Sequence, residues 1–448
     1  MAAFLVRGRR IVTMDAARTV IDDGAVLVDG SRIAGVGTWA DLRRLHPDAV
    51  VSGDAAEILA PGFVNAHQHL TGDRLMHSRI PDRIDSQEAI FGWAVPLHAA
   101  HTEEDDHLSA TLALAASLAN GVTTTVEAGT VAHPAAVLRA QREIGARGTL
   151  GSWGWDVPDG PWAGSVAEVL DRQREVLSLA PPGGLVEGWV TLVGHDLMSD
   201  ELVGAASDLA RRSGTGMTFH LSPHDGDAAA YLSRTGRRPA VHLRELGVLG
   251  PHVLVAHGVH LDDDEVDAIV GTGAAIAACP WAYLRLAQGV TRAGRYDAVL
   301  ARGGRIALGC DAENAGDAID ILRTAALFAG LLRDRSGDPA SFTAVDALAL
   351  ATIDGARAIG KADRIGSIEV GKEADLVAFG GTGYEWLPLG ADPYLQLVWG
   401  TDGRSVRDVW VAGRQVVRAS RVVTVDVDAA AEAAVGRSER LGQTIRPL

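Results

Sequence analysis

The spacing of apolar and polar residues changes rhythm twice along the chain. Over residues 3–58, short alternating runs (FLVRGRRIVTMD, GAVLVDGSRIAGVG and AEILAPG) are broken by Asp-Gly and Gly turns and read as strands of a small β unit. From about residue 61 to 360, short apolar runs alternate with helical stretches, the pattern of strands joined by crossover helices. The predicted strands are FVNAHQ (63–68), TTTVEA (123–128), TLGSWG (149–154), GWVTLV (188–193), GMTFHL (216–221), HVLVAH (252–257), AAIAAC (274–279) and RIALGC (305–310). Between them lie helices such as EEDDHLSATLALAASLAN, with acidic residues in its first turn and Gly121 just past its end, as the helix dipole and C-cap favour. Eight such units predict an α/β fold, a closed (β/α)8 TIM-like barrel over residues 59–362, with its chemistry at the C-terminal ends of the strands. Beyond 362 the strand rhythm returns in ADLVAFG and VRDVWVAGRQVVRASRVVTVD, where VAGRQVV reads as a hairpin. Residues 1–58 and 363–448 are therefore expected to build one composite β domain, and AAAEAAVGRSERLGQ a surface or interface helix.

Composition narrows the partners. The 448 residues are 47% apolar and 22% charged, enough to bury a large core, and the net charge of -16 argues against a polyanion such as nucleic acid. No apolar run approaches the roughly 20 residues that span a bilayer. The N-terminal MAAFLVRGRRIV has too short an apolar stretch for a secretory signal, and the only cysteines are Cys279 and Cys310, so a cytoplasmic protein is expected. Lysine occurs only at Lys361 and Lys372.

Histidines mark the strand ends. Strand one ends with His67 and His69, strand four with His195, strand five with His220, strand six with His257 and strand eight with Asp311. Residues two apart on a strand face the same way, so His67 and His69 can share one ion while Gln68 points away. A lone H-x-H is a weak signal; the coincidence of strand-end positions is what lifts it. His67, His69, His220 and Asp311 form a borderline-soft donor set suited to one divalent ion, zinc first, with iron(II), cobalt(II) or manganese(II) as alternatives. Such an ion lowers the pKa of its water from 15.7 to about 7. Asp311 can then take the water's proton, and His257 can hydrogen-bond the water or a developing oxyanion. His46, His101, His107, His133, His242 and His252 lie in polar, helix-start or loop-edge contexts and are read as ordinary.

With these residues in hand, the chain resembles the amidohydrolase superfamily, in particular its branch of triazine hydrolases, guanine deaminase and S-adenosylhomocysteine deaminase. The likeness covers nearly the whole length. PGFVNAHQHL is similar to the strand-one motif, AHGVHLDDDEV to that of strand six, CPWAYLRL to that of strand seven and LGCDAENAGD to that of strand eight; ATIDGARAIGKADRIGSIEVGKEADLVAF resembles the branch's closing signature. The resemblance implies a (β/α)8 barrel with a composite β-sandwich, the four metal ligands named above, His257 on the attacking water, and His195, in GHDLMSDEL, as a substrate contact. Two-metal members bridge their ions with a strand-four lysine; both lysines here belong to the C-terminal signature, so one metal is expected. Family habit also implies a homo-oligomer.

The chain departs from the branch after strand five, where a proton-shuttling Glu is usual and HLSPHDGD has Pro223; His224 or Asp225 is a candidate substitute, though loop polarity alone explains both, and Tyr283 replaces the Asn of the strand-seven motif. These changes favour hydrolysis of a non-peptide carbon–nitrogen bond, of amide, urea or amidine type, in a small aromatic or heterocyclic molecule. The alternative is deamination or dechlorination of a purine, pterin or triazine-like ring with a substitute acid; a catalytically inactive scaffold is the remote one. Trp153, Trp155, Trp281 and Tyr283 follow barrel strands and are expected to wall a pocket for a flat substrate, with Glu127 placed to meet a polar substrate group or an arginine. The long strand-one loop, residues 71–96, is expected to act as a lid with Trp93 reaching into the mouth.

Overall fold

A computed structural model describes residues 3–71, 73–157, 160–316, 318–381 and 386–444. The apolar runs predicted as strands are buried along nearly their whole length, as parallel strands covered on both faces must be, with Gly216, His252 and Arg305 half-buried at the starts of three of them. Phe63–Gln68, Val122–Glu127, Arg147–Leu150 and Val186–Gly188 pair in one parallel arc; Val190–Gly194, Met217–Leu221, Val253–His257, Ala275–Ala278 and Arg305–Leu308 pair in another. The fourth barrel strand joins the arcs by changing partner at Trp189: its N–H donates to Leu150 O at 2.9 Å, while the N–H of Val190 donates to Gly216 O at 3.0 Å. On the far side the ring closes where the N–H of Asp311 donates to His67 O at 2.9 Å. The result is the TIM-like barrel that the rhythm of the sequence predicts.

The third strand is shorter than expected. It leaves the ladder after Leu150 because the chain there packs its backbone onto the fourth strand: a Cβ at Gly151 would lie 2.7 Å from Thr191 Cγ2, and Ser152 N donates to Thr191 Oγ1 at 2.9 Å. The segment carrying Trp153 and Trp155 therefore runs as a loop over the barrel mouth.

Both chain ends enter one eight-stranded sheet, in the order Arg421–Val422, Arg414–Arg418, Val406–Val411, Leu376–Phe379, Val50–Pro61, Phe4–Val12, Val20–Asp29, Arg32–Thr38. The expected hairpin turns through Ala412 and Gly413, both at positive φ (47° and 76°), the twist that closes a two-residue loop between strands. A buried charge network ties this sheet to the barrel. Arg147, at the start of the third barrel strand, donates through Nε to Asp375 at 2.8 Å and also pairs with Glu373, which Arg364 engages in turn; Glu187, on the fourth strand, meets Arg364 at 2.9 Å and Lys361.

The predicted tail helix spans Val427–Thr444 and lies against the helix Glu103–Ala119 and the 3-10 turn Asp73–Met76. Leu441 joins Leu75, Met76 and Leu97 in one apolar cluster, and Arg437 and Arg440 both reach the buried Asp105. Burial alone would raise the Asp105 carboxyl, but backbone and side-chain hydrogen bonds from Thr102, together with the two arginines, pull it down to about 2. A carboxyl depressed on folding contributes stability that is complete above its unfolded value, about 4, and lost as the pH falls through the folded one. Acidification from pH 4 to 2 should therefore loosen the tail helix, and Asp105→Ala should do the same at neutral pH. Amide hydrogen exchange over 427–444 checks this; unchanged protection in the variant would show that the apolar cluster alone holds the helix. Among the described residues, no helix is long and apolar enough to cross a membrane.

Candidate metal centre

The barrel brings the strand-end residues to one point. His67 and His69 leave the first strand on the same side, while Gln68 turns away to accept from Asn65 Nδ2 at 2.9 Å. His220 Nε2 lies 3.3 Å from His69 Nε2; Asp311 Oδ1 lies 3.3 Å from His69 Nε2 and 3.6 Å from His67 Nε2. Ring centroids of His67 stand 4.9 Å from His220 and 5.3 Å from His257. Donors held about 2.0–2.1 Å from a tetrahedral zinc are separated by about 3.3 Å, the edge of that tetrahedron. The observed donor spacings match it.

Two further observations fit a cation. His67 is 1% exposed and neither of its ring nitrogens has a hydrogen-bond partner among the described residues, nor does the buried Nδ1 of His257. Such orphaned groups are costly unless something outside the protein pairs with them. Protonation also suits ligation: burial holds the imidazoles of His67 and His220 below their ordinary value and takes His257 to about 3. For Asp311 burial works the other way, but the imidazoles of His67, His69 and His257 around it keep its carboxyl well below the usual range. Neutral imidazoles and an anionic carboxylate are the states a divalent ion requires. The tautomers are set from outside the cluster, His220 donating through Nδ1 to Val193 O at 2.6 Å and His69 Nδ1 meeting Thr130 Oγ1 at 2.9 Å. His195, His257 and Asp311 all stand at positive φ (53°, 80° and 64°), a sparsely populated backbone state for such residues that concentrates at functional sites.

The cluster opens on a cavity of about 680 Å³, solvent at its mouth included. Its wall is largely apolar, with Ile90, Val95, Trp153, Val193, Pro223 and Leu286; His98, His195 and Gln288 are the polar side chains beyond the cluster and Thr130. His195 donates through Nδ1 to Asp227 at 3.0 Å, so its Nε2 edge is the one left to meet a ligand. The charge of Asp227 and their hydrogen bond outweigh burial and raise the His195 imidazole above its ordinary value.

Several expected contacts fall elsewhere. Cys279 is followed by a helix, Pro280–Arg285, which sends Trp281 and Tyr283 to different sides. Trp281 packs under the Arg323 guanidinium, 5.1 Å from the ring centre, outside the cavity. Tyr283 is 1% exposed; its hydroxyl accepts from Cys279 N at 2.7 Å and its ring backs His257 from behind. Trp155 packs beside Trp153, and only Trp153 lines the wall. Glu127 pairs with no arginine among the described residues: fully buried, it accepts from the backbone N–H groups of Leu70, Gly129 and Thr130 and holds the loops beside His69. His224 lies behind His195 as the cap of the helix Asp225–Thr235, its Nδ1 accepting from Gly226 N at 3.1 Å, and it does not line the cavity. Its Nε2 lies 3.0 Å from Gln87 Nε2, so both nitrogens of His224 have protein partners, although it stands beside His195 and Asp227. In the strand-one loop, whose Gly72 lies outside the described residues, a π-helix at Glu88–Ala94 presents Ile90 and Ala94 to the cavity, and Trp93 turns away to the Leu75–Leu441 cluster. His101, read as ordinary and polar in setting, is buried and 2.9 Å from Asp106.

The amidohydrolase family model matches residues 58–416, and a bacterial imidazolonepropionase-like composite-domain model matches residues 24–49. The chain belongs to the amidohydrolase family. This amidohydrolase is 30% identical over 99% of its length, and 98% of the relative's, to a 5-methylthioadenosine/S-adenosylhomocysteine deaminase of Syntrophobacter fumaroxidans. Among solved structures it is similar to an adenosine deaminase of Xanthomonas campestris with bound zinc, at TM-score 0.91 and 25% identity over 99% of both chains. It shares its fold with an atrazine chlorohydrolase of Arthrobacter aurescens complexed with zinc, at TM-score 0.86 and 22% identity over 98% of this chain and 99% of that one. The buried cluster of imidazoles and one carboxylate is that of a metal-dependent hydrolase acting on a carbon–nitrogen bond. A strand-four lysine bridge to a second ion is absent: Lys361 pairs with Glu187 at the start of that strand, and Lys372 donates to Ala362 O and Ser367 at 2.6 Å.

Proposed function

We propose that this amidohydrolase is a mononuclear zinc aminohydrolase that exchanges an amino group on a heterocyclic ring for oxygen and releases ammonia. What carries the reading is the three-imidazole, one-carboxylate cluster opening on an apolar cavity, in a chain similar over its full length to a nucleoside-type deaminase. That likeness favours ring deamination over the amide, urea or amidine chemistry that Pro223 suggests from sequence. The catalytic unit is the barrel, residues 59–362, with 1–58 and 363–448 as its supporting domain. The buried, unpaired thiols of Cys279 and Cys310 suit a reducing, cytoplasmic setting, and family habit suits a homo-oligomer.

His67, His69, His220 and Asp311 would hold the ion, which when bound supplies a water of lowered pKa. With the ion in place, Asp311 would accept a proton from the attacking water and pass it to the departing amino nitrogen, so that oxygen would add to the ring carbon, the carbon–nitrogen bond would break and ammonia would leave. His257 hydrogen-bonds the incoming oxygen, and Trp153 and Ile90 press the ring from the wall. His195, aligned by Asp227, fills the space that His224 does not reach and positions the amine. Asp227→Asn should therefore keep its zinc while losing about 10- to 100-fold in kcat/KM; metal analysis beside steady-state rates checks it.

The deciding experiment is a hydrolysis screen of the zinc-loaded protein on aryl amides, ureas, aminopterins, aminopurines and amino- and chlorotriazines, with ammonia, larger amines and chloride assayed separately. Ammonia released one-for-one with ring oxidation-neutral carbonyl product supports the reading. A larger amine from amides or ureas restores the acyl alternative, and chloride alone makes the protein a dechlorinase.

A further inference from the structure

Gln288 has no part in the chemistry above, yet it is held with care. Its N–H donates to Tyr283 O at 2.8 Å and its carbonyl accepts from His260 Nε2 at 2.7 Å, between Ala287 and Gly289 at positive φ (53° and 79°). The side chain lines the cavity, is 8% exposed, and its buried Oε1 has no hydrogen-bond partner among the described residues. An amide oxygen left unpaired in this way is destabilising until a donor meets it. Leu286, Pro223 and Ala312, which line the same cavity, carry apolar side chains. The second observation concerns charge: no lysine or arginine lines the cavity, and Asp311, committed to the metal cluster, is the one carboxylate there among the described residues.

We infer that the Gln288 amide is a specificity-determining contact, pairing its carbonyl and amino groups with an N–H and a ring nitrogen side by side on the edge of an uncharged aminated heterocycle. This rests on the ring-aminohydrolase reading. A primary amide presents one acceptor and one donor at the spacing of such an edge, which is how Gln and Asn read adenine. The rest of the substrate lies against apolar wall, so a phosphate or carboxylate on it would be buried without a cation to meet it. The chemical class is therefore a free aminopurine-like base or a neutral, apolar-substituted ring.

The test uses the zinc-loaded full chain and Gln288→Leu, with calorimetric binding of adenine, 3-deazaadenine, 7-deazaadenine and adenosine 5′-monophosphate, and ammonia release measured in parallel. In the parent protein adenine should bind, at least one deaza analogue should bind tenfold or more weakly, and the monophosphate should not bind. In Gln288→Leu the adenine affinity should fall by tenfold or more and the difference between adenine and that analogue should shrink to within about threefold. Zinc content and thermal midpoint should be unchanged; a variant that has lost either is replaced by Gln288→Met and judged on the same ratios. Equal discrimination in parent and variant, failure of adenine to bind, or tight binding of the monophosphate each overturns the inference. Ammonia release that survives with Gln288→Leu indistinguishable from parent refutes the subsite alone; loss of discrimination in a protein that deaminates nothing in the screen refutes the aminohydrolase reading and leaves the subsite standing.

Discussion

Replacing His220 with alanine should remove bound metal and turnover together. His220 sits on the fifth barrel strand with its Nδ1 proton given to Val193 O, so its Nε2 lone pair has one direction, toward His69 Nε2 at 3.3 Å. Two unprotonated imidazole nitrogens at that distance repel unless a cation lies between them, and burial keeps the His220 ring neutral. Removing one of four donors leaves His67, His69 and Asp311, all from two adjoining strand ends and open on the side that His220 closed. Zinc per chain should drop from near one to a small fraction, and the rate should fall at least about 10⁴-fold, well inside the 10⁶ or more that such enzymes gain over solution. The metal-free melting temperature should change little, since the strand's ladder bonds to Val253–His257 remain. Turnover retained by metal-free His220→Ala would contradict the assignment of this cluster.

The second large effect concerns stability. Arg147→Met should destabilise the fold by about 3–5 kcal/mol, because it deletes the cation of a buried network and leaves the carboxylates in place. Among the described residues, Asp375 then keeps only the N–H of Ala412, at 2.7 Å, and Glu373 keeps Arg364. The network lies at the N-terminal end of the barrel, away from the cluster, so zinc content and kcat should be preserved below the unfolding transition. Urea denaturation measures the loss. A shift below about 1 kcal/mol would mean that these charges are hydrated rather than buried.

Much of the site is legible in the sequence because it is written on strands. A strand has a fixed two-residue repeat, so H-x-H at 67 and 69, and single polar residues closing buried runs at 220, 257 and 311, locate a common mouth without knowledge of the packing. What misled was helical or distant in sequence. Trp281 and Tyr283 lie about 200° apart around a helix, and no local signal says which faces inward. Glu127 ends a strand like the ligands, but the cost of a buried carboxylate is met here by three backbone N–H groups that composition cannot reveal. His98, Asp227 and Gln288 were missed because each reaches the site from a helix or loop after its strand; only Asp227, in the first turn of a helix starting just after strand five, carried a usable cue.

The order of strands in the composite sheet also governs how the chain can be made. Leu376–Phe379 is hydrogen-bonded to Val50–Pro61 on one side and Val406–Val411 on the other, so an early strand waits for a partner encoded more than 300 residues later. At ribosomal speeds of 5–20 residues per second that delay is about 15–60 s. Throughout it the nascent N-terminal strands present an open edge, and the barrel has to be translated before that edge can be sealed.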